Sequence, residues 1–437
     1  MKRNEIDVIT LGCSKNLVDS EALIRQFLAN GFTVKHNPEQ IRGEIVVLNT
    51  CGFIADAQEE SVNMILNLVE AKKSGIIGRL YVMGCLSERF REDLKKEIPE
   101  VDFYYGKFDW KDLLDKLGKS YYADARLAGN PLAITTPSHY SYLKISEGCD
   151  RHCSYCAIPL ITGKHKSRSM QDILAEARRL ADSGVRELLL IAQDLTYYGL
   201  DLNGKHQLPE LVERLSDIKG LDWIRLHYAY PTHFPFDILR VIRERENVCK
   251  YLDLALQHIS DHMLKKMCRN ITKQQTLDVL AQIRGEVPGI ALRTTLMTGH
   301  PDETEEDFLE LLDFVNTQKF DRLGAFVYSH EKDTYCDKHY ADNVPFEVKQ
   351  QRLDKLMSLQ EEIVYGLNRQ KIGQRFKVII DRNEDEFDVG RTEYDSPEVD
   401  QEILIRASDQ SRLSVGEFYE VEIEDCGSFD LFGKVVE

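Results

Sequence analysis

Short apolar runs alternate with amphipathic segments over the first third of the chain. Each run is continuously apolar, which is typical of parallel strands buried on both faces. Between the runs, apolar positions recur with helical spacing, as from Leu17 to a stop at Asn30-Gly31. The pattern predicts an α/β domain with a parallel sheet over residues 1–127. Its strands are predicted at 6–11, 45–49, 79–83 and 101–105, with further helices at about 57–73 and 87–97.

The alternation resumes after residues 128–140, where two prolines and little periodicity predict a linker. Six further strand-and-helix units follow, which fits a partial parallel (β/α)6 barrel over 135–370 better than a small open sheet. A long helix at about 346–370 ends this domain. The strands are predicted at 141–147, 186–191, 223–227, 251–256, 290–297 and 322–328, and the helices between them include 170–182 and 304–316.

The last segment, residues 371–437, changes to short strands in which apolar and polar residues alternate. Turn residues separate five such strands, from RFKVIID to LFGKVVE. Alternation with a period of two indicates strands that are buried on one face. The segment therefore predicts a small antiparallel β-barrel of the OB-like kind.

The composition of the chain indicates a cellular compartment and the kind of chemistry that its cysteines carry out. The chain has 437 residues, 43% of them hydrophobic, so it is globular and long enough for several domains. Its start lacks the apolar core of a signal peptide, and no run approaches the roughly 18 residues needed to cross a bilayer. These features favour the cytoplasm, where thiols stay reduced. The ten cysteines then indicate metal or catalytic chemistry more than disulfides.

The acidic charge is concentrated at the C-terminal end. The formal net charge is −17, and residues 371–437 contribute −10 of it, from 8 basic and 18 acidic residues. Binding of nucleic acid through phosphate neutralisation is therefore disfavoured for this segment, which is better suited to a basic partner.

Cys13, Cys51 and Cys85 each follow a predicted strand of the first domain. Ligands of open α/β sheets bind at the carboxyl ends of the strands, so three thiols separated by 38 and 34 residues can converge there. The alternative is that they are three small apolar side chains packed under helix starts, since free cysteine is often buried.

The strongest motif is CxxxCxxC, formed by Cys149, Cys153 and Cys156 directly after the first barrel strand. Unligated thiolates this close would repel one another and oxidise. Zinc with His152 as fourth ligand is one alternative, although His152 adjoins Cys153 and no second CxxC pair is nearby. A cubane iron–sulfur cluster normally takes four cysteines, so three would leave one iron open for a substrate or cofactor.

This motif, with Tyr155 before its last cysteine, resembles that of the radical S-adenosylmethionine enzymes. The resemblance implies a 4Fe-4S cluster whose open iron chelates the amino and carboxylate groups of S-adenosylmethionine. One electron then cleaves S-adenosylmethionine to methionine and a 5′-deoxyadenosyl radical, which abstracts an unactivated hydrogen. The radical is the reactive species, so no side chain is assigned a catalytic role. Tyr155, Gln193 and Arg293 are candidate contacts to S-adenosylmethionine.

The whole chain is similar to the methylthiotransferases of that superfamily. These combine a domain with three strand-end cysteines, a radical domain and a small TRAM domain. Their three cysteines hold a second, auxiliary 4Fe-4S cluster, and here they would be Cys13, Cys51 and Cys85. The strings LGCSKNLVDSE, NTCGFIADAQEES and AIPLITGKHKSR resemble the branch that modifies a ribosomal protein, the RimO type. The tRNA-modifying branch would be expected to start with a GCQMN-type string.

The resemblance implies methylthiolation of the β-carbon of an aspartate in the twelfth small-subunit ribosomal protein. One S-adenosylmethionine would give its methyl group to sulfur at the auxiliary cluster, and another would generate the radical. A β-hydrogen of aspartate is too inert for acid–base removal, so a radical route makes chemical sense. A small carrier such as flavodoxin would supply electrons, and a sulfur source is required. The charge of −10 in the TRAM segment agrees with a basic ribosomal protein as partner and argues against tRNA.

Polar residues also follow other predicted barrel strands. Gln193 and Asp194 lie at the catalytic rim and can face cofactor or substrate, although Asp194 can equally cap a helix. Gln257 and His258 end another strand, where a functional role competes with a structural one. Arg293 is charged within an apolar strand, so it is expected to point into the barrel and meet a carboxylate, for which that of S-adenosylmethionine is a candidate.

The remaining signals are weaker. The GHPDET turn resembles the family's GFPGET, from which His300 and Asp302 depart. A basic run after the cluster loop is interpreted as a solvated face more than as a substrate contact; it comprises Lys164, His165, Lys166 and Arg168. Four cysteines with neither spacing nor clustering are assigned no ligand role, namely Cys249, Cys268, Cys336 and Cys426.

Two other functions stay open at this point. One is methylthiolation of tRNA adenosine by the same chemistry. The other, outside radical chemistry, is a zinc or iron–sulfur binding module of the translation machinery.

Overall fold

The computed structural model describes residues 2–122, 133–407 and 412–436. In chain order it contains a five-stranded sheet, a six-stranded sheet and a closed five-stranded barrel. The beginning of the predicted linker at 128–140 lies outside the described residues, as do residues 123–127 of the predicted first domain. Among the described helices, none combines the length and the apolar character needed to cross a membrane.

The N-terminal domain is a five-stranded parallel sheet with helices on both faces. Its elements are β1 Lys2–Thr10, α1 Ser14–Ala29, β2 Thr33–His36, β3 Gly43–Thr50, α2 Ala55–Lys73, β4 Arg79–Gly84, α3 Cys85–Glu97, β5 Phe103–Tyr104 and α4 Trp110–Lys116. The strand order is β2-β1-β3-β4-β5. Ile6 and Val8 pack in one core with Phe27 of α1, whereas Ile9 packs in the other with Leu68 of α2. Both faces are thus buried, which explains the continuous apolar runs.

The central domain is a partial (β/α)6 barrel. Its elements are β6 Tyr140–Lys144, β7 Ser146–Glu147, α5 Ile158–Thr162, β8 Lys166–Ser167, α6 Met170–Asp182, β9 Glu187–Ile191, α7 Leu200–Asn203, α8 Leu208–Ser216, β10 Trp223–Ala229, α9 Asp237–Glu244, β11 Val248–Gln257, α10 Asp261–Lys266, α11 Lys273–Glu286, β12 Ala291–Thr298, α12 Glu305–Gln318, β13 Arg322–Val327, α13 Tyr335–His339 and α14 Phe346–Arg369. Six parallel strands run in the order β13-β12-β11-β10-β9-β6.

Side chains alternate between the two faces of these strands. Leu252 and Leu254 of β11 point outward into the core beneath the helices. Asp253, between them, points inward, where it meets Arg293 of β12. The interior of the barrel is therefore charged while its exterior is apolar.

The C-terminal domain is a closed barrel in the order β14-β15-β16-β18-β17, where β14 is Arg375–Glu384, β15 Phe387–Arg391, β16 Ile403–Arg406, β17 Phe418–Cys426 and β18 Leu431–Val435. The small five-stranded barrel is confirmed. The expectation of a fully antiparallel barrel is wrong for one pair, because β16 and β18 are parallel. The connection from β16 to β17 crosses over and leaves β18 to close the barrel beside β16.

The segment 392–401, which connects β15 to β16, packs against the amino-terminal half of the large barrel. Asp400 lies 3.2 Å from the Nε of Arg293, and Asp395 accepts a 3.0 Å hydrogen bond from the Nε of Arg322. Both arginines lie near the start of their strands, β12 and β13. The segment therefore closes the end of the barrel opposite the CxxxCxxC loop.

The predicted fold class is confirmed, with two local differences. β2 was not predicted, since it is four residues long, includes polar residues and lies at the sheet edge. The predicted strand 141–147 divides into β6 and β7, because the chain leaves the sheet after β6 to pair with β8 across the cysteine loop.

Candidate active site

Three cysteines lie at the carboxyl edge of the N-terminal sheet. Cys13 is the N-cap of α1, Cys51 follows β3 directly, and Cys85 is the first residue of α3. Gly12 allows close approach, since its φ is +87° and a Cβ there would lie 2.7 Å from the Cys51 sulfur. Cys13 and Cys51 are both near enough to raise the pKa of Cys85. The structure brings this N-terminal triad together, and its role as a ligand set stays a prediction.

Two thiols of the N-terminal triad, those of Cys85 and Cys13, have pKa values shifted in opposite directions. Burial raises the pKa of Cys85 to about 11, against the opposing influence of Lys107, whose Nζ lies 3.7 Å from that sulfur. Burial acts in the same direction on Cys13, but Lys15, nearby backbone N–H groups and Lys107 together lower its pKa. Cys13 also has an exposed surface at a helix N-terminus. It is therefore more readily ionised than Cys85.

The second triad, Cys149, Cys153 and Cys156, lies on a loop closed at its base by the antiparallel pair β7 and β8. Gly148 enters this loop with a φ of +78°, and a Cβ there would lie 2.1 Å from the carbonyl oxygen of Lys164. Glycine is therefore required at this position. Burial raises the pKa of Cys149 to about 12, so this thiol loses its proton readily only to a metal.

A buried arginine contacts the middle cysteine of this loop. Arg269 is 2% exposed, and its Nη1 lies 3.3 Å from the Cys153 sulfur and 3.4 Å from the Tyr155 hydroxyl. The Tyr230 hydroxyl lies 3.5 Å from the same sulfur, and the Tyr230 ring stacks 3.9 Å from the guanidinium carbon. A hydrogen-bonded cation at a ligand sulfur stabilises negative charge there.

A second arginine, Arg151, is fixed between a carboxylate and two aromatic rings. Its Nε donates a 2.8 Å hydrogen bond to Asp194, and its guanidinium carbon lies 4.1 Å from the Tyr230 ring and 4.7 Å from the Tyr197 ring. Asp194 also caps the 3-10 turn Leu195–Tyr197. The capping alternative for Asp194 is thus confirmed, and the same carboxylate orients the cysteine loop through Arg151.

Buried charges connect the N-terminal triad to the barrel. Lys107, beside the Cys85 sulfur, lies 2.7 Å from one carboxylate oxygen of Asp19. The other oxygen of Asp19 accepts a hydrogen bond from Lys144 at the end of β6. Asp19, Lys107 and Lys144 are each at most 7% exposed. The two cations lower the pKa of Asp19, which burial alone would raise.

The same chain of charges continues to the second triad. Lys144 donates a 2.6 Å hydrogen bond to Glu147, two residues before Cys149, and Glu147 also accepts one from Gln193. We call Lys107, Asp19, Lys144 and Glu147 the inter-triad ion chain. In addition, α3, which begins at Cys85, contacts α5. The two triads therefore lie on opposite sides of one domain junction.

Two carboxamide oxygens at the carboxyl end of the barrel have no hydrogen-bond partner within the described residues. They belong to Gln193, which follows β9, and to Gln257, which ends β11, and both are buried. An unpaired buried polar atom costs free energy, so a bound polar group is expected to complete these hydrogen bonds. S-adenosylmethionine beside the CxxxCxxC loop fits this requirement.

The arrangement of the ligand candidates bears on the kind of metal group that they could hold. Within residues 2–122, 133–407 and 412–436, no three His, Cys, Asp or Glu side chains are arranged to hold one ion. A zinc ion with Zn–S bonds of about 2.3 Å requires sulfurs roughly 4 Å apart. In an iron–sulfur cluster each cysteine binds a different iron, which permits wider spacing. His152, the candidate fourth zinc ligand, is exposed. The donor set of each triad, three cysteines, is compatible with a cubane cluster that leaves one iron open.

Arg293 points into the barrel as expected, and its carboxylate partners belong to the protein. Its Nη1 lies 3.5 Å from Asp253 and its Nε 3.2 Å from Asp400. It also lies five residues before the end of β12, roughly 16 Å along the strand from the carboxyl end of the barrel. These pairings favour a structural role, and its contact with S-adenosylmethionine stays a prediction. His258 is likewise structural, buried with its Nε2 3.1 Å from Glu303.

The two departures from the GFPGET turn have different consequences. His300 is fully buried beneath the cysteine loop, and its Nε2 lies 3.3 Å from the Ser154 hydroxyl and 3.3 Å from the Cys336 sulfur. Burial lowers the pKa of His300 to about 4, so it is neutral at pH 7. Asp302 adopts a φ of +67°, a conformation that glycine would adopt without strain.

The basic run after the loop is only partly a solvated face. Lys164 and Lys166 are exposed as expected, but His165 is buried, and Arg168 lies 2.6 Å from Glu176. Of the four cysteines without an assigned role, Cys336 packs beside His300 and Ser154.

Sequence reasoning missed the cations that contact the two triads, Lys107 and Arg269, and the one that connects them, Lys144. Lys144 carries the signal that singled out Arg293, a charge at the end of an apolar strand. Lys107 and Arg269 lie in loops with no periodicity, and nothing in the sequence marks them.

Three stretches of the chain match protein-family models. Residues 5–106 match the uncharacterized protein family UPF0004, residues 143–315 the radical SAM superfamily, and residues 372–436 the TRAM domain. The matches fall on the N-terminal sheet, the partial barrel and the C-terminal barrel in turn.

Solved structures with a similar fold are also radical enzymes. The methyltransferase TsrM from Kitasatospora setae, with tryptophan and an S-adenosylmethionine analogue bound, has a TM-score of 0.56 at 13% identity, covering 74% of this chain and 72% of that one. The cobalamin-dependent enzyme OxsB has a TM-score of 0.54 at 13% identity, covering 83% of this chain and 57% of that one. At such identities the similarity concerns the fold alone.

Sequence relatives are much closer and span the full length. A protein of Porphyromonas gingivalis is 66% identical over 437 residues, covering 100% of both chains. One of Parabacteroides distasonis is 62% identical, again covering 100% of both, and one of Bacteroides thetaiotaomicron is 59% identical, covering 100% of this chain and 99% of that one. Each is named ribosomal protein uS12 methylthiotransferase RimO. The chain therefore belongs to the RimO family of radical S-adenosylmethionine methylthiotransferases.

Proposed function

We propose that this enzyme attaches a methylthio group to the β-carbon of an aspartate in ribosomal protein uS12. The observation that carries the proposal is the position of two cysteine triads on either side of one domain junction, joined by the inter-triad ion chain. Full-length relatives named as uS12 methylthiotransferases support the substrate. The charge of −10 over residues 371–437 supports a basic protein over tRNA.

The proposal assigns a separate function to each of the three domains. Residues 1–127 would hold an auxiliary 4Fe-4S cluster through the N-terminal triad. Residues 135–370 would hold the radical cluster through Cys149, Cys153 and Cys156, and residues 371–437 would recognise the substrate. When bound, the radical cluster supplies the electron that cleaves S-adenosylmethionine, and the auxiliary cluster is the site of sulfur delivery. Three cysteines per cubane leave one iron of each free of protein thiolate.

The protein's own residues would bind and position the reactants. Tyr155 and Gln193 lie at the carboxyl end of the barrel and are the proposed contacts to S-adenosylmethionine; the unpaired oxygen of Gln193 is an acceptor for its amino group. Arg269 would hold Cys153 in place through its hydrogen bond to the sulfur. The inter-triad ion chain would fix the separation of the two triads, because each carboxylate in it bonds two neighbours.

The overall change at the substrate is the replacement of one hydrogen by a methylthio group. A C–H bond at the β-carbon breaks, and its hydrogen leaves in 5′-deoxyadenosine. A C–S bond forms, and the methyl group on that sulfur comes from a second S-adenosylmethionine. An electron donor such as flavodoxin and a sulfur source would complete the balance.

The proposal is tested with protein reconstituted anaerobically with iron and sulfide. We expect about eight irons per chain for two cubane clusters, and the Cys13→Ala variant should lose about half of them. Purified uS12 is then incubated with S-adenosylmethionine, sulfide and a reductant, and mass spectrometry should locate a methylthio adduct on one aspartate. Cys249→Ala is the matched control, since Cys249 is buried away from both triads.

The outcomes separate the alternatives. An adduct on tRNA and none on uS12 would reject the proposed substrate and favour the tRNA alternative. Iron that depends only on Cys149, Cys153 and Cys156 would reject the auxiliary cluster. Protein that binds iron but never cleaves S-adenosylmethionine would favour a non-radical binding module.

A further inference from the structure

Lys15 crosses the domain junction beside the N-terminal triad. It is the second residue of α1, two residues after Cys13, and its Nζ lies 3.2 Å from the centre of the Tyr228 ring on β10 of the barrel. The ammonium is therefore held between the N-terminal triad and the barrel interior by a cation–π contact, which fixes its position without using its N–H groups on an acceptor.

Tyr228 is positioned for this contact by a distortion of its strand. It has a φ of +64°, and the register between β10 and β11 shifts between Leu226 and Ala229. A non-glycine residue in the left-handed region costs free energy, and such residues persist where surrounding structure holds them. The backbone N–H of Tyr228 donates to Asp253, which holds the distorted segment in place.

The charge of Lys15 is not neutralised by the protein. Other cations at this junction have carboxylates: Lys107 and Lys144 share Asp19, and Arg89 lies 2.6 Å from Glu331. Within residues 2–122, 133–407 and 412–436, no carboxylate lies within ion-pair distance of Lys15. Asp253, deeper in the barrel, is paired with Arg293.

A half-buried ammonium with free N–H groups is an anion site. We propose that Lys15 binds the side-chain carboxylate of the substrate aspartate and so places its β-carbon next to Cys13. The proposal rests on the function proposed above and extends it to the choice of residue modified. The β-carbon is bonded directly to the carboxyl carbon, so fixing the carboxylate fixes the reacting carbon within one bond length. An asparagine at the same position of uS12 would offer no charge for Lys15 to pair.

The test compares binding of two forms of uS12 to the reconstituted full-length enzyme with S-adenosylmethionine and no reductant. One form has the modified aspartate, and the other has asparagine in its place. The wild-type enzyme should prefer the aspartate form by about tenfold or more, as expected for a charge-assisted pair. In Lys15→Met, compared with wild type at equal iron content per chain, this preference should vanish.

Four further variants keep the test specific. Lys15→Arg retains a cation that can stack on Tyr228 and should keep the preference. Tyr228→Phe keeps the ring and should behave as wild type, whereas Tyr228→Leu frees the ammonium and should weaken the preference several-fold. Lys73→Met, an exposed lysine on α2, is the neutral control.

Each contrary result is distinguishable. If wild-type enzyme modifies the aspartate of uS12 but Lys15→Met still prefers the aspartate form, the inference about Lys15 is wrong and the proposed function stands. Equal behaviour of Lys15→Arg and Lys15→Met would also overturn it, because charge would then not be the cause. If wild-type enzyme modifies no aspartate of uS12, the proposed function fails and the inference fails with it.

Discussion

The Nη1 of Arg89 lies 2.6 Å from the Glu331 carboxylate, and both side chains are buried where the N-terminal domain meets the barrel. The same nitrogen donates a 2.9 Å hydrogen bond to the carbonyl oxygen of Gly52, the residue after Cys51. The side-chain N–H of Gln58, near the start of α2, donates a 2.9 Å hydrogen bond to the same carboxylate of Glu331. One carboxylate of the barrel therefore holds both the start of α2 and the backbone beside a proposed cluster ligand.

Removal of the Glu331 carboxylate should destabilise this junction. In Glu331→Ala the Arg89 guanidinium is left buried and unpaired, which is expected to cost about 3 kcal/mol or more in the free energy of unfolding. Urea unfolding of the metal-free protein measures this. The control is Glu92→Ala, which breaks an exposed, solvent-screened pair with Lys95 and should change the free energy of unfolding little. Equal effects of the two variants would contradict the role assigned to Glu331.

Gly148→Ala should prevent the CxxxCxxC loop from forming. The added Cβ would lie 2.1 Å from a backbone carbonyl oxygen, which cannot move aside as a flexible side chain can. We expect loss of about half the iron after reconstitution, with the cluster of the N-terminal triad retained. Gly204→Ala is the matched control: its φ of +74° is in the left-handed helical region and nothing lies within 4 Å of its Cβ position, so only backbone strain of about 1 kcal/mol is added. Full iron content in Gly148→Ala would refute the prediction.

Arg269→Met should lower the reduction potential of the radical cluster. The buried guanidinium contacts the Cys153 sulfur at 3.3 Å and stabilises the more negative, reduced state. We expect a shift of roughly 60 mV, equivalent to a tenfold change in a one-electron equilibrium. A redox titration monitored by electron paramagnetic resonance, in protein whose N-terminal triad is replaced by alanine, measures it. Arg269→Lys keeps the charge and should shift the potential less. A potential that rises in Arg269→Met would contradict this account.

His300 should make stability depend on pH. Burial lowers its folded pKa to about 4, below the unfolded value of about 6.5. Between these values the unfolded chain binds a proton that the folded protein does not, so stability falls as pH falls from 6.5 towards 4. The wild-type protein should therefore lose about 2 kcal/mol more than His300→Phe between pH 7 and pH 5. Urea unfolding at both pH values tests this, and parallel losses in the two proteins would count against it.

Arg293→Met and Asp400→Asn should have similar consequences. Both break the contact between segment 392–401 and β12, so both should lower the free energy of unfolding. Neither should change the affinity for S-adenosylmethionine by more than about threefold. Loss of a direct contact worth about 1.4 kcal/mol would weaken binding tenfold. Equilibrium binding to reconstituted protein measures the affinity. A large loss in Arg293→Met alone would restore Arg293 as a contact of S-adenosylmethionine.

The sequence predicted what local pattern determines and missed what distant segments create together. Continuous apolar runs located β1, β3 and β4, and therefore placed Cys13, Cys51 and Cys85 at one sheet edge. The contact of Asp19 with Lys144 joins residues 125 positions apart, and no periodicity records it. Arg293 was expected to meet a carboxylate, with that of S-adenosylmethionine as one candidate, but the sequence could not identify Asp400, which comes from another domain 107 residues later.

The segment 392–401 also sets the order in which the chain can fold during synthesis. Arg322 of β13 finds its carboxylate, Asp395, only in this late segment, and Arg293 shares Asp400 there. While the ribosome is still making the C-terminal barrel, Arg322 therefore lacks the carboxylate of Asp395, and Arg293 has only Asp253. Domains usually fold in turn from the N-terminus. Here the central domain gains its last buried ion pairs only once segment 392–401 is in place, so nascent chains that stop before residue 392 should bind chaperones more than the complete chain does.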